Sequence, residues 1–208
     1  MKPLLVIFQP REIPEFLEAT NKLKIDKLWL KFFPQEEAYV TARVWFLEHT
    51  EYTHFVILPD DLIVTQDNIL RLINDVYEDP DRIISGWCNN TAGPTDNEDT
   101  NFSLKLPPIQ TVKYDLYNFT PIINIRGGDI IMPVIHQGTA LTFLPRDIVI
   151  QIPFRTYLPP DLGLTYDLYD RGIIQYVDLR VRCLHLRHPH GILVNKREKQ
   201  LIFDEWDY

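Results

Sequence analysis

Short apolar or alternating runs along the first half of the chain are separated by segments whose apolar residues recur at helical spacing. The runs predict four buried strands at Pro3–Phe8, Lys27–Phe33, Thr53–Leu58 and Ile83–Trp87. The intervening segments predict three helices at Ile13–Leu23, Pro34–Leu47 and Thr65–Tyr77. This alternation implies mostly parallel strands joined by right-handed crossovers, so residues 1–90 are expected to form a Rossmann-like, nucleotide-binding half.

The second half lacks this regular alternation. The polar stretch Asn89–Asn101 interrupts it, either as a solvated connector or as a lid that faces a substrate. Further strands are predicted at Val112–Tyr117, Pro121–Ile125, Asp129–Ile135, Ala140–Phe143, Ile173–Val177 and Leu179–Leu186. Helices are predicted to begin near Pro145 and to cover Asp161–Arg171, with Gly172 ending the latter. A mixed half over residues 91–190 and a tail over 191–208 that packs back on the body would complete a single domain, 1–208.

Composition and net charge argue against some classes of binding partner. The 208 residues carry a net charge of −8, which argues against nucleic acid or anionic membrane as a partner. A phosphorylated small substrate remains possible through a local basic pocket. No run approaches the ~20 apolar residues of a membrane span. The opening MKPLLVIFQPRE contains an apolar run that is too short for a signal peptide. Cys88 and Cys183 show no metal-binding spacing, so we expect two buried thiols and a reducing, cytoplasmic location.

Two adjacent carboxylates, Asp60 and Asp61, follow the third predicted strand directly. In open α/β sheets, ligands bind at the carboxyl ends of the strands. Two acids at that end suit a divalent cation that in turn holds a diphosphate. The alternative is that the pair only turns the chain and caps the next helix.

A second group of candidate residues lies near the end of the chain. Asp161 stands at the start of a predicted helix, and the last predicted strand leads to His185. One carboxylate from Asp61, one imidazole from His185, phosphate oxygens and waters would make an octahedral site for Mn²⁺ or Mg²⁺. His188 and His190 follow closely, but no paired ligands at matching spacing accompany them as a zinc site would require.

Taken together, these motifs resemble those of glycosyltransferases of the GT-A fold, over roughly residues 3–186. The string PDDLIVTQDNIL resembles the DxD-type motif of that fold, and the later motifs are similar to those of a large inverting, family-two-like group. The resemblance rests on the order and spacing of a set of later residues: Gly138-Thr139-Ala140, Pro145-Arg146-Asp147, Asp161, Gly172 and His185. The sequence departs from the pattern at three positions where acids are usual: Pro59, Pro160 and Gly163.

The resemblance implies a role for each matching residue. Asp61 and His185 would ligate the metal, and Asp60 would contact the ribose, or the metal through water. Asp161 would be the general base, with Asp167 and Asp170 in the same helix as rivals that are expected to face solvent. The remaining positions would line the nucleotide-sugar: Gln9, Pro10 and Arg11 beside the base, and Gly138 and Thr139 beside the donor sugar. Trp87 is either a sugar-stacking ring or a core aromatic.

The function implied is a metal-dependent glycosyltransferase. It would transfer a sugar from a UDP- or GDP-sugar to a hydroxyl of a carbohydrate or glycoprotein, with inversion. Two other functions remain open: a nucleotidyltransferase, although FQPREIPEF lacks the expected glycine-rich loop, and a binding or structural protein on a degenerate transferase fold. A metal-dependent phosphoesterase is a further alternative. Nothing in the sequence identifies the donor sugar, the nucleotide base, the acceptor or the oligomeric state.

Overall fold

A mixed eight-stranded sheet runs through the protein, with helices against both of its faces. The computed structural model describes residues 1–88, 131–134, 139–155, 159–186 and 197–206. The strands are β1 Pro3–Gln9, β2 Lys27–Lys31, β3 His54–Pro59, β4 Leu62–Ile63, β5 Ile83–Trp87, β6 Ile131–Val134, β7 Thr142–Pro145, β8 Gln175–Arg182, β9 Leu184–His185 and β10 Gln200–Asp204. The helices are α1 Pro14–Asn21, α2 Gln35–Glu48, α3 Gln66–Glu78, α4 Arg146–Gln151 and α5 Pro160–Asp170.

The strand order across the large sheet, among the described residues, is β10-β2-β1-β3-β7-β5-β8-β6. Strands β2, β1, β3, β5 and β8 run in one direction, and β10, β7 and β6 run against them. Phe8 pairs with Pro59, and Gln9 pairs with Lys31, so β1, β2 and β3 end together. Residues that follow these strands are therefore brought to one edge of the sheet.

Alternate residues of each central strand point into two separate cores. Leu5 and Ile7 of β1 pack with α1 and α3 on one face, whereas Leu4 and Val6 pack with α2, α4 and α5 on the other. Because both faces of β1 are covered, its seven residues are all buried, which is why the sequence shows a continuous apolar run there.

Local signals fix the helix ends near these cores. Thr65 and Asn68 form a reciprocal capping box at the start of α3. Gly172 adopts a φ of +68° after α5, and the Ile173 N–H donates to the Leu168 carbonyl in a Schellman arrangement. The Gly172 stop predicted from the sequence is thus confirmed.

The carboxyl end of α2 is held by one arginine from the start of α4. The Arg146 guanidinium donates to the carbonyls of Phe46, Leu47, His49 and Tyr52 at 2.8–3.2 Å. Since helix carbonyls at this end have no partners within the helix, one cation satisfies several of them at once. This contact ties α2 to the strand-helix connection between β7 and α4.

The predicted elements of the first half are confirmed with small shifts of their boundaries, and the single mixed α/β domain is observed. The second half needed more correction. Residues predicted as two strands, Ile173–Val177 and Leu179–Leu186, form one long strand, β8, followed by the short β9. The antiparallel β7 also lies between β3 and β5, among strands that run parallel to one another. The predicted segments Asn89–Asn101, Val112–Tyr117 and Pro121–Ile125 fall outside the described residues.

The tail packs back on the body as predicted: residues 200–204 form β10, antiparallel to β2. Within the described ranges, no helix is long and apolar enough to cross a bilayer.

The close approach of β5 and β8 yields a stability prediction. A Cβ at Gly86 would lie 2.8 Å from both Val181 Cγ1 and the Val181 carbonyl oxygen. Gly86→Ala should therefore force the strands apart and lower the free energy of unfolding by about 1–3 kcal/mol, measured by urea denaturation.

Gly172→Ala is the matched control. The added methyl group would contact nothing within 4 Å, and only the positive φ of residue 172 disfavours it. The free energy of unfolding should therefore fall by about 1 kcal/mol. A Gly86→Ala protein as stable as wild type would contradict this close packing.

Candidate functional site

Two acids and one arginine meet where β1 and β3 end. Arg11 follows β1, and Asp60 and Asp61 follow β3. The Arg11 side chain donates to Asp60 through Nη2 at 2.5 Å and through Nε at 3.1 Å. Its Nη2 also lies 3.2 Å from Asp61 Oδ2, and its backbone N–H donates to Asp60. One guanidinium thus spans both carboxylates.

Burial and charge set the acidity of these groups. Asp60 is 2% exposed, and burial raises its pKa above the ordinary value although Arg11 acts in the opposite direction. Burial also raises the pKa of Asp61, but the contacts of that carboxyl with His185 and Arg11 outweigh burial, so its pKa lies below the ordinary value. Asp61 is therefore the more acidic of the two carboxyl groups.

A two-stranded antiparallel sheet places His185 beside Asp61. Leu62 of β4 pairs with His185 of β9, and the Leu186 N–H donates to the Asp61 carbonyl at 2.7 Å. The His185 Nε2 lies 3.6 Å from Asp61 Oδ2. Backbone hydrogen bonds on either side thus fix the distance between these two side chains, which are 124 positions apart in the chain.

A third group approaches from α2 and α5. Tyr39 of α2 is fully buried, and its side chain is hydrogen-bonded to that of Thr139. Burial raises the pKa of the Tyr39 phenol, and the charges of Asp161 and Asp61 raise it further. Both carboxylates therefore lie near the same phenol, and Asp161 is partly exposed in the first turn of α5. Asp161 and Thr139 border the same region as Asp61.

Unusual backbone conformations surround this region. Thr139 and Leu141, which immediately precede β7, have φ values of 55° and 48°. Phe32, with a φ of 63°, donates its N–H to the Gln9 carbonyl at 2.9 Å. Phe154, with a φ of 53°, has its ring 5.4 Å from that of Tyr39. Left-handed non-glycine residues cost free energy, and such strain is concentrated at functional sites.

Asp61 and His185 offer an oxygen and a nitrogen of the kinds that bind a divalent cation. Ligand atoms about 2.1 Å from an octahedral ion are roughly 3 Å apart when adjacent and roughly 4 Å apart when opposite. The distance between Asp61 Oδ2 and His185 Nε2 is 3.6 Å, which matches neither separation, so a bound cation would require a small shift of one of these side chains. No three His, Cys, Asp or Glu side chains form a metal-binding group in the described part of the chain. A bound cation would thus need ligands from substrate and water.

Most of the predicted site residues lie together. The structure brings Arg11, Asp60, Asp61 and His185 into contact, and it places Gln9, Pro10, Thr139 and Asp161 at the same edge of the sheet. Gln9 is 1% exposed, and its Oε1 makes no hydrogen bond within the described structure. Gly138, His188 and His190 fall outside the described residues. The roles assigned to these residues remain predictions.

The structure overturns the expectation for Asp167 and decides between the two alternatives for Trp87. Asp167 does not face solvent: it is 3% exposed, and Arg155 donates to its Oδ1 at 2.6 and 2.9 Å. Asp170 is exposed, as expected. Trp87 is a core aromatic, because its indole N–H donates to the Leu179 carbonyl and its ring lies 5.4 Å from the Arg182 guanidinium carbon.

Sequence reasoning missed two neighbours of the site. Tyr39 belongs to an apolar i, i+3, i+7 stripe with Ala42 and Phe46, so nothing separates it from ordinary core positions. Cys88, which follows β5, is a partly buried thiol whose pKa rises to about 12 through desolvation and the charge of Asp61. That pKa makes the thiolate scarce at neutral pH, so Cys88 is a poor nucleophile.

Comparison with known proteins shows the fold alone. No protein-family model and no curated protein matches the chain. The crystal structure of A197 from STIV is similar over 100% of this chain and 97% of its own, with 15% identity and a TM-score of 0.60. A CMP:2-keto-3-deoxy-manno-octonic acid synthetase complexed with CTP covers 92% of this chain and 93% of its own, with 10% identity and a TM-score of 0.45. The likeness to A197 shows a shared mixed α/β, Rossmann-like fold.

The ion pair between Arg11 and Asp60 supports a prediction on stability. Arg11→Met would leave a buried carboxylate without its cation and should lower the free energy of unfolding by about 3 kcal/mol. Arg11→Met/Asp60→Asn removes both charges and should recover most of that loss. Urea denaturation of the wild type and both variants measures the difference.

Lys22→Met serves as the control for removal of a cation. Lys22, which follows α1, is paired with the exposed Glu18, so removal of this cation should leave the free energy of unfolding unchanged within error. An Arg11→Met protein as stable as Lys22→Met would show that Asp60 does not depend on Arg11.

Proposed function

We propose that this protein is a metal-dependent glycosyltransferase that uses a nucleotide-sugar donor. The observation that carries the proposal is the convergence of Asp61, His185 and Arg11 at the carboxyl ends of β1 and β3. Asp161 and Asp61 both lie near the Tyr39 phenol. This arrangement supplies cation ligands, a fixed positive charge and a separate carboxylate, which transfer from a diphosphate leaving group requires.

Residues at the carboxyl ends of β1 and β3 would bind the nucleotide-sugar donor. Asp61 and His185 would hold Mn²⁺ or Mg²⁺, which would neutralise negative charge on the leaving diphosphate. Asp60 would accept hydrogen bonds from the ribose, and Gln9 and Pro10 would border the nucleotide base. Gln9 favours this assignment because its buried amide oxygen is unpaired within the described structure.

Arg11, which the sequence resemblance implies lies beside the nucleotide base, would have a second role at the diphosphate. Its guanidinium already contacts both acids, so it could turn toward phosphate oxygens without leaving the site. It would then compensate charge on the diphosphate while Asp61 turns to the cation. Thr139 and Gly138 would border the donor sugar.

Helix α5 would supply the group that activates the acceptor, Asp161. Asp161 would remove the proton from the acceptor hydroxyl, which belongs to a carbohydrate or a glycoprotein, and direct attack would invert the anomeric centre. Partial exposure suits a base that must meet an incoming substrate. Asp167 is disfavoured as the base because Arg155 engages its carboxylate in a buried ion pair.

One observation favours a second candidate, a non-catalytic binding protein on this fold. The Arg11 guanidinium occupies both acids, and an intramolecular cation competes with a metal for the same oxygens. If Arg11 never leaves Asp61, the site would bind a nucleotide by charge and shape without a metal. Metal-dependent binding of nucleotide separates the two functions.

Calorimetry of UDP and GDP binding, with and without Mn²⁺, provides the first test of this proposal. Wild-type protein should bind one of the nucleotides more tightly when Mn²⁺ is present. Asp61→Ala and His185→Ala should each weaken the Mn²⁺-dependent component at least tenfold, because each removes a protein ligand. Asp170→Ala, which removes an exposed carboxylate of α5, should leave binding unchanged.

Equal affinity with and without Mn²⁺ would favour the binding protein. If the ligand assignment is wrong, Mn²⁺-dependent binding will persist in both Asp61→Ala and His185→Ala.

The choice of base is tested by slow hydrolysis of UDP- and GDP-sugars, in which water replaces the acceptor. Asp161→Asn should lower the hydrolysis rate by about a hundredfold or more while nucleotide affinity stays the same. Asp167→Asn should retain the rate but lose stability through its partner Arg155. Full turnover of Asp161→Asn together with inactive, folded Asp167→Asn would reverse the assignment.

A further inference from the structure

In the described part of the chain, the outer strand β10 has an open backbone edge. Among the described strands, β10 pairs only with β2, and its five residues are all exposed. Leu201, Ile202 and Phe203 are each 39% exposed. An apolar edge strand with unpaired N–H and C=O groups is a template for another strand.

The opposite edge of the sheet lacks this property. There β6 is four residues long and contains Pro133, which cannot donate to a neighbouring strand. By contrast, β10 contains no proline and has no charged residue among its central three positions. The usual protection of an edge is therefore present at β6 and missing at β10.

Contacts at both ends hold β10 in an extended form. Before the strand, Arg197 forms an ion pair with Glu12, and its guanidinium carbon lies 5.2 Å from the Phe32 ring centre. After the strand, the Trp206 N–H donates to Asp26 Oδ1 at 2.8 Å. An incoming strand would therefore meet a preformed edge and pay little for ordering it.

The sequence of this edge is complementary to itself. When KQLIFDE is laid antiparallel to a second copy with Ile202 opposite the partner's Ile202, Lys199 faces the partner's Glu205. Gln200 then faces the partner's Asp204, and Leu201 faces the partner's Phe203. Opposite charges and apolar side chains facing each other across two strands stabilise their pairing.

We propose that β10 pairs with β10 of a second copy in an isologous homodimer, joining the two sheets into one. The two-fold axis would pass beside Ile202, so the contact between Lys199 and Glu205 would occur twice. Lys199 now contacts Glu37 at 2.6 Å and remains about half exposed, so it can face Glu205 of the partner subunit while staying near Glu37. A single strand pair buries less than the ~800 Å² per partner of a standard interface, so the dimer should form in the micromolar range or above. This inference does not depend on the proposed function.

Charge reversal at Lys199 and Glu205 tests the proposed register of the β10–β10 pairing. Sedimentation velocity over a range of protein concentrations should show a monomer–dimer equilibrium for the wild type. Lys199→Glu and Glu205→Lys should each raise the dissociation constant about tenfold, since each places like charges opposite one another twice. Lys199→Glu/Glu205→Lys should return it to within about threefold of wild type. Thermal melting of each variant checks that the fold is intact.

Amide hydrogen exchange locates the interface independently. Exchange at residues 200–204 should slow as protein concentration rises, while exchange at the β6 edge, residues 131–134, should stay the same. A wild type that is monomeric at every concentration would overturn the proposal. A dissociation constant that changes in neither Lys199→Glu nor Glu205→Lys would also overturn it. The same holds if the double variant dimerises as weakly as the single variants.

Discussion

The backbone pairing of β4 with β9 is the constraint on which the candidate site depends. Only two residues of each strand take part, yet this pairing carries His185 from the end of β8 to Asp61 at the end of β3. Without it, His185 would not reach the acids of the first half. The hydrogen bond from Leu186 to the Asp61 carbonyl extends the same contact by one residue.

Charge balance explains how two acids remain together at this position. Asp60 is buried, and a buried carboxylate is costly unless a cation or hydrogen-bond donors accompany it. Arg11 meets that requirement and leaves Asp61 as the more acidic, more exposed member of the pair. The same guanidinium that stabilises the two acids is thus also the group that would compete with a cation. The proposed function requires that Arg11 exchange one anionic partner for another, which the similarity of carboxylate and phosphate as ligands permits.

The sequence predicted the first half of the fold and most of the residues at the site. It did so because continuous apolar runs such as Pro3–Phe8 are typical of strands covered on both faces, and because acids after such a strand share one edge of the sheet. The insertion of β7 between β3 and β5 could not be predicted, since its four buried residues carry no sign of which strands they will join. Tyr39 was missed for a similar reason: a buried tyrosine in an apolar stripe becomes a site residue only when Thr139 and Asp161 are placed beside it by the fold.

Anomalous diffraction from crystals soaked in Mn²⁺ together with UDP tests the proposed cation site most directly. If Asp61 and His185 hold the cation, an anomalous peak will lie between Asp61 Oδ2 and His185 Nε2, and the Arg11 guanidinium will have turned from Asp61 toward the phosphates. A structure in which UDP is bound, Arg11 still contacts Asp61, and no anomalous peak lies near His185 would contradict it.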